Sequence, residues 1–150
     1  MDIILWRHAE AEEGSPDLAR QLTPKGEQQA ARMAAWLKQH MPANMRILVS
    51  PAKRTQQTAL ALGMEFTTLD ELAPGASPQV LLDAAGWPLG KDNVLIVGHQ
   101  PTLGMAAAYA MTRRTQYWSV KKGAVWWITH RRRGEEEQTV LRAMLTPELV

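Results

Sequence analysis

The chain has 150 residues and a formal charge of only +2, which fits one domain with a single core. Its apolar and charged contents are those of a globular protein and argue against a disordered or fibrous chain. It has no cysteine, which removes disulfides, thiolate metal sites and a cysteine nucleophile, and is compatible with a reducing compartment.

In chain order, Ile3 to Trp6 reads as a short buried strand, followed at once by Arg7-His8. This first apolar segment is too short for a signal peptide or a membrane span, so the expectation is no membrane association and a cytoplasmic location. Thr23-Pro24 opens a helix, with threonine as cap and proline at the first helical position. Ala30, Met33, Ala34, Leu37 and Met41 follow at helical spacing. Arg46 to Val49 is the second strand. Ser50-Pro51 repeats the cap-then-proline device and predicts a second helix that ends at Gly63.

Phe66 to Leu69 reads as a third strand, Asp70 to Gly75 as a loop, and Ser77-Pro78 as the start of a short helix closed by Gly86. Asn93 to Val97 is nearly continuous in apolar residues, as in a central parallel strand. Pro101 to Met111 is a further helix. Ala124 to Thr129 and Thr139 to Met144 predict an antiparallel hairpin around a charged tip, Arg131-Arg132-Arg133 against Glu135-Glu136-Glu137. Those charges offset one another. No basic face with interleaved aromatics is evident, so nucleic-acid binding is not expected. Alternating strands and helices predict an α/β fold: one three-layer α/β/α domain over residues 1–150, its sheet mostly parallel with a C-terminal antiparallel hairpin.

In such folds ligands bind at the carboxyl edge of the sheet. Arg7 and His8 follow the first strand, Arg54 lies in the first turn of the second helix, and His99 follows the central strand. His99 also precedes a helix whose N-terminus offers N–H groups to an anion. Two arginines and two histidines at one point suit a phosphoryl group. Arginine presents a planar, permanently charged fork to phosphate oxygens, and a neutral imidazole is a competent nucleophile toward phosphorus. Nearby guanidinium groups keep His8 unprotonated, and the other histidine can donate a hydrogen bond. No carboxylate sits at ligand spacing from either histidine, and arginines repel a metal cation, so no metal is expected.

Arg7-His8-Ala9, Ser50-Pro51-x-x-Arg54-x-x-x-Thr58 and Gly98-His99 resemble, in order, the three signature segments of the histidine phosphatase superfamily. The chain most resembles the smallest branch, the SixA-type phosphohistidine phosphatases. Arg20-Gln21-Leu22-Thr23-Pro24-x-Gly26, Leu48-Val49-Ser50-Pro51, Glu71-Leu72-x-Pro74 and His99-x-Pro101 add to the likeness, which runs from residue 1 to about residue 130. The resemblance implies that His8 is the transiently phosphorylated nucleophile, that Arg7 and Arg54 clamp the phosphate, and that His99 stabilises the group in transit. It implies no metal or organic cofactor. It also implies a minimal cap, since only a loop and one short helix separate the third and fourth strands. A shallow pocket of that kind suits a phosphorylated side chain on a folded protein.

Two departures from the pattern matter. Many members have glycine where this chain has Ala9, and alanine resists positive φ. Acid-using members carry a glutamate where Leu72-Ala73-Pro74 places a proline. A P–N bond needs less acid assistance than a P–O ester, so the expected substrate is phosphohistidine in a protein. Glu71, Asp17, Glu10 and Glu12 remain unranked as substitutes for the acid. The competing readings are a broad phosphatase for small phosphomonoesters and a non-catalytic phosphate-binding module. His40 and His130 read as surface residues. Trp118, Trp126 and Trp127 are candidates for an interaction surface, although adjacent strand residues face opposite ways and one of the last two belongs to the core.

Overall fold

The computed structural model describes residues 1–150. Six strands form one sheet: β1 (Asp2–Arg7), β2 (Arg46–Val49), β3 (Thr67–Thr68), β4 (Val94–Gly98), β5 (Val125–Arg133) and β6 (Glu136–Leu145). Their order across the sheet is β3-β2-β4-β1-β5-β6. The β2–β3, β2–β4 and β1–β4 pairs are parallel, whereas β1–β5 and β5–β6 are antiparallel. The helices are α1 (Pro24–His40), α2 (Lys53–Leu60), α3 (Pro78–Ala85) and α4 (Thr102–Thr112). None is long and apolar enough to cross a membrane.

Strand alternation divides the core in two. Ile4, Trp6, Leu95 and Val97 pack with Met33, Ala34 and Leu37 of α1 and with Ala59 of α2. Ile3, Leu5, Val94 and Ile96 face the other way, against Leu81 and Leu82 of α3 and the Leu103-to-Ala110 stripe of α4. This is the three-layer α/β/α arrangement expected from the sequence. The caps on α1 and α3 form as expected: Thr23 Oγ1 accepts from the Gly26 N–H and Ser77 Oγ from the Val80 N–H.

Four local expectations change. Helix α2 starts at Lys53, because Pro51 and Ala52 do not join the helix and the Ser50 hydroxyl turns toward His99. Strand β3 shrinks to Thr67–Thr68, both exposed at the sheet edge. The hairpin is longer than predicted: the charged run belongs to the strands, with Arg132 opposite Glu137 and Arg133 opposite Glu136, an arrangement that favours cross-strand pairing. His130 is buried rather than at the surface. It sits edge-on to Trp87 at a centroid distance of 5.8 Å and bonds Thr139 Oγ1 through Nδ1 at 3.0 Å.

Candidate active site

Sheet register builds the site. Arg7 lies opposite Gly98 across β1 and β4, and Val49 lies opposite Val97 across β2 and β4. The residues just beyond these pairs, His8, Ser50 and His99, therefore emerge together at the carboxyl edge. Their backbones are locked there, since the His8 N–H donates to the Gly98 carbonyl at 3.2 Å and the Ser50 N–H to the Val97 carbonyl at 3.1 Å. The His8 and His99 ring centroids are 5.4 Å apart.

His8 Nδ1 lies 2.7 Å from the Ala9 carbonyl oxygen. A carbonyl only accepts, so Nδ1 carries the proton and Nε2 keeps its lone pair. Burial lowers the His8 pKa to about 4; the Ala9 hydrogen bond opposes this, and Arg54, Arg7 and Arg20 reinforce it. The ring is therefore neutral at pH 7. Ala9 is fully buried and its N–H donates to Thr58 Oγ1 at 3.1 Å; the Thr58 hydroxyl donates in turn to the Arg54 carbonyl at 2.8 Å. The four-residue step from Arg54 to Thr58, one helical turn, thus ties the His8 loop to the helix that carries the second arginine. Alanine is accepted at position 9 because the backbone there does not adopt positive φ; among non-glycine residues only Arg113 does.

His99 Nε2 lies 2.7 Å from Ser50 Oγ, which also accepts from the Ala52 N–H at 3.3 Å. The Ser50 O–H has no other acceptor in the chain, so it is assigned as donor to Nε2, which places the proton of the neutral His99 ring on Nδ1. Burial lowers the His99 pKa to about 3, with His8 and Arg54 adding to the effect.

The two guanidinium groups are anchored from behind. Arg7 Nη1 donates to the Val120 carbonyl at 2.9 Å. Arg54 donates from Nη1 to the Asp17 carbonyl at 2.8 Å and from Nη2 to Asp17 Oδ2 at 3.1 Å. Five buried side-chain polar atoms in the chain lack a partner, and three of them are Arg7 Nε, Arg54 Nε and His99 Nδ1. Native interiors rarely leave such donors unsatisfied. Their concentration around Arg7, Arg54 and His99, with burial and then Arg54 pressing the Arg7 pKa downward, suits a compact oxyanion.

The structure brings Arg7, His8, Arg54 and His99 together. Of the four carboxylates, Asp17 alone joins them, as the anchor of Arg54. Hydrogen bonds first from Arg20 and then from Arg54 lower its pKa, so it stays ionised. Glu10 accepts from the Thr23 hydroxyl at 2.8 Å, Glu12 is exposed beside Gln21, and Glu71 is exposed in the short turn Asp70–Leu72. The N-terminus of α4 contributes less than expected. His99 O accepts from the Leu103 N–H at 2.9 Å and Gln100 Oε1 from the Gly104 N–H at 2.7 Å, so those donors are used within the chain. No group of three His, Asp or Glu side chains is arranged to hold a metal ion.

Sequence reasoning missed two parts: the Ser50–His99 bond and the anchoring role of Asp17. Ser50 looked like an ordinary helix cap. Asp17 lies in an irregular loop without periodicity, and its only signal was its charge. Of the three tryptophans, Trp127 is buried and leaves the proposed surface; its indole N–H donates to Asp2 Oδ2 at 3.0 Å. Trp118 and Trp126, 5.6 Å apart, line a cavity of about 530 Å³ with Met111, Tyr117 and Leu141.

This geometry has counterparts in known proteins. Residues 3–73 match the family model of the histidine phosphatase superfamily (branch 1). Phosphohistidine phosphatase SixA of Escherichia coli (strain K12) is 31% identical over 122 residues, spanning 72% of this chain and 73% of that protein. The solved SixA structure from Nakamurella multipartitia superposes with a TM-score of 0.78 at 25% identity, covering 97% of this chain and 95% of that one. The structure of protein histidine phosphatase SixA complexed with tungstate shares the fold, with a TM-score of 0.80 at 24% identity over 99% of both chains. Matching signature segments, matching fold and a crevice built for an oxyanion lead to one assignment: this chain belongs to the histidine phosphatase superfamily and is a SixA-type phosphatase.

Proposed function

We propose that the protein removes the phosphoryl group from a phosphohistidine carried on another protein, through a covalent intermediate on His8. The observation that carries this reading is the bond from His8 Nδ1 to the Ala9 carbonyl, which leaves Nε2 unprotonated beside two guanidinium groups. In the first step the Nε2 lone pair attacks phosphorus in line with the P–N bond of the substrate. That bond breaks, its electron pair returns to the substrate imidazole, and the phosphoryl group rests on His8. In the second step water attacks the same phosphorus, the bond to Nε2 breaks with its electron pair returning to His8, and inorganic phosphate leaves with the proton passed to solvent. Arg7 and Arg54 donate to the equatorial oxygens, and His99 Nδ1–H adds a third donor as charge accumulates.

The choice of a P–N substrate rests on the leaving group. An alkoxide needs a proton as it departs, whereas an imidazole can leave already protonated. Asp17, the carboxylate nearest the clamp, is held ionised by Arg20 and Arg54 and is unsuited to donate. The name of the Escherichia coli relative, a phosphohistidine phosphatase, supports the same substrate class.

The test is a labelled phosphohistidine phosphocarrier protein offered beside a panel of sugar phosphates. Label should leave the carrier, and an acid-labile phosphoryl group should be trapped on His8 by rapid quench. Sugar phosphates should turn over at least about a hundredfold more slowly in kcat/KM, the scale of missing acid catalysis. Faster turnover of the esters would replace this reading with a broad phosphomonoesterase. Tight phosphate binding without turnover would replace it with a binding module.

A further inference from the structure

Beside the oxyanion crevice lies an open cleft of about 690 Å³ whose lining is polar and charged apart from Pro147. Arg7 borders it, so the cleft is continuous with the clamp. Four further cations line it: Lys25, Arg32, Lys121 and Lys122, opposed by the carboxylates Glu10 and Glu148. Glu10 is partly spent, since its Oε2 accepts from the Thr23 hydroxyl. This one cleft therefore holds a larger cationic excess than the +2 of the whole chain.

The four cations are all exposed, and none forms an ion pair or a side-chain hydrogen bond within the chain. The backbone that carries them is nonetheless fixed. Lys25 and Arg32 stand seven residues apart, two turns along one face of α1. That helix is pressed against the catalytic loop: a Cβ at Gly26 would collide with the Glu10 carbonyl, and Gln29 Oε1 accepts from the Glu10 N–H at 2.9 Å. Lys121 and Lys122 sit on the turn whose Gly123 N–H donates to the His8 carbonyl at 3.0 Å. Both walls are thus bonded to the segment that bears the nucleophile.

We infer that this cleft is a docking site for a carboxylate-rich segment of the phosphorylated protein, flanking its phosphohistidine; the inference rests on the function proposed above. Unpaired like charges held together are unfavourable alone and gain most from an anionic partner. Lysines are strongly hydrated point charges suited to separated carboxylates. A cleft of about 690 Å³ is larger than one small anion fills and fits a polypeptide segment better. Single-stranded nucleic acid would need aromatic platforms for its bases, and the cleft has none.

The test uses peptides phosphorylated on one histidine, with four glutamates at positions two to six residues to either side, and the same peptides with glutamines there. The proteins are wild type, the K25Q/R32Q/K121Q/K122Q variant, and each in an H8A background for binding without turnover. In H8A, the Glu peptide should bind about tenfold or more tighter than the Gln peptide, a preference that shrinks at high salt and vanishes in the quadruple variant. In the His8 enzymes the same preference should appear in KM with kcat unchanged. Phosphoimidazole, which has no flanking acids, should be hydrolysed equally by wild type and quadruple variant. Equal binding of the Glu and Gln peptides overturns the docking site, even if both are hydrolysed well. Failure of wild type to hydrolyse any phosphohistidine compound overturns the proposed activity, while the binding arm still decides the docking site. Tighter binding of a twelve-nucleotide single strand than of the Glu peptide at physiological salt would also overturn it.

Discussion

Two edges of the same sheet bury histidines, and they do different things with them. At the carboxyl edge of the parallel strands, His8 and His99 are 6% and 4% exposed; at the opposite edge, beside Met1, His130 is also 6% exposed. Burial therefore does not separate them. Their surroundings do. His8 and His99 share a crevice with Arg7 and Arg54, and Arg7 Nε, Arg54 Nε and His99 Nδ1 have no partner there. His130 lies within an antiparallel hairpin, with Trp87 against its ring and Thr139 on Nδ1; its Nε2 also lacks a hydrogen bond, and the charge beside it is a carboxylate, a Glu137 oxygen at 4.0 Å. A buried imidazole becomes a reactive site where strand ends collect cations around it; inside a hairpin ladder it is a packing residue.

The sharpest way to break this contrast is to exchange losses between the edges. H8A should reduce kcat by more than about a thousandfold, since the proposed intermediate forms on His8. H130Q should leave kcat/KM within about twofold while lowering Tm by about 2–4 °C, the scale of about 1 kcal/mol in a domain of this size. Steady-state kinetics on a phosphohistidine substrate and thermal melts measure both. Comparable kinetic losses in the two variants would erase the distinction.

Next in size is the clamp. R54A should cost about a hundredfold or more in kcat/KM, and R54K should recover only part of it, because lysine keeps the charge but not the fork. D17N tests how the fork is held. Asp17 acts through Arg54 as a positioning residue, so its loss should raise KM several-fold with a smaller change in kcat. A drop in kcat as deep as that of R54A would instead put Asp17 in contact with the reacting atoms. S50A should lower kcat by up to about tenfold with KM little changed, the worth of one buried hydrogen bond, because the proton on His99 is then no longer fixed to Nδ1.

How much of this was legible in the residues follows from which interactions are local. The helices from Pro24 and Pro78 carry their own caps and periodicity, and β1 and β4 are nearly continuous apolar runs, so each announces itself. The convergence of Arg7, His8, Arg54 and His99 was legible because strand-end position and the superfamily signatures agree. The α2 boundary was not. Ser50 reads as a helix cap, but the β2–β4 register sets its hydroxyl beside His99, and its Oγ accepts only from the nearby Ala52 N–H rather than from within the helix. Asp17 and the burial of His130 were hidden for the same reason: each depends on contacts across long stretches of chain, Asp17 with Arg54 and His130 with Met1. Gln100 took over the start of α4 through a side-chain acceptor that no cap rule would select.

The smallest expected effect is on pH dependence, and it reads the carboxyl edge without any mutation. Burial first, and the neighbouring guanidinium groups after it, hold the pKa of His8 at about 4 and that of His99 at about 3, against about 6.5 for an unperturbed imidazole. Ring nitrogen chemical shifts should therefore report both as neutral from pH 8 down to pH 5. Between pH 6.5 and about 4 the unfolded chain binds more protons at these two positions than the folded chain does. Folding stability must then rise with pH across that window and fall as acid is added, by at most about 1.4 kcal/mol per pH unit for each histidine. Inorganic phosphate should oppose the fall, because a bound anion raises both values toward normal and stabilises the fold that binds it. Denaturant melts at pH 7.0, 6.0 and 5.0, with and without phosphate, read this directly. Titration of either ring near pH 6.5 in the free protein would mean that neither burial nor the guanidinium groups act on that imidazole as the geometry of the crevice requires.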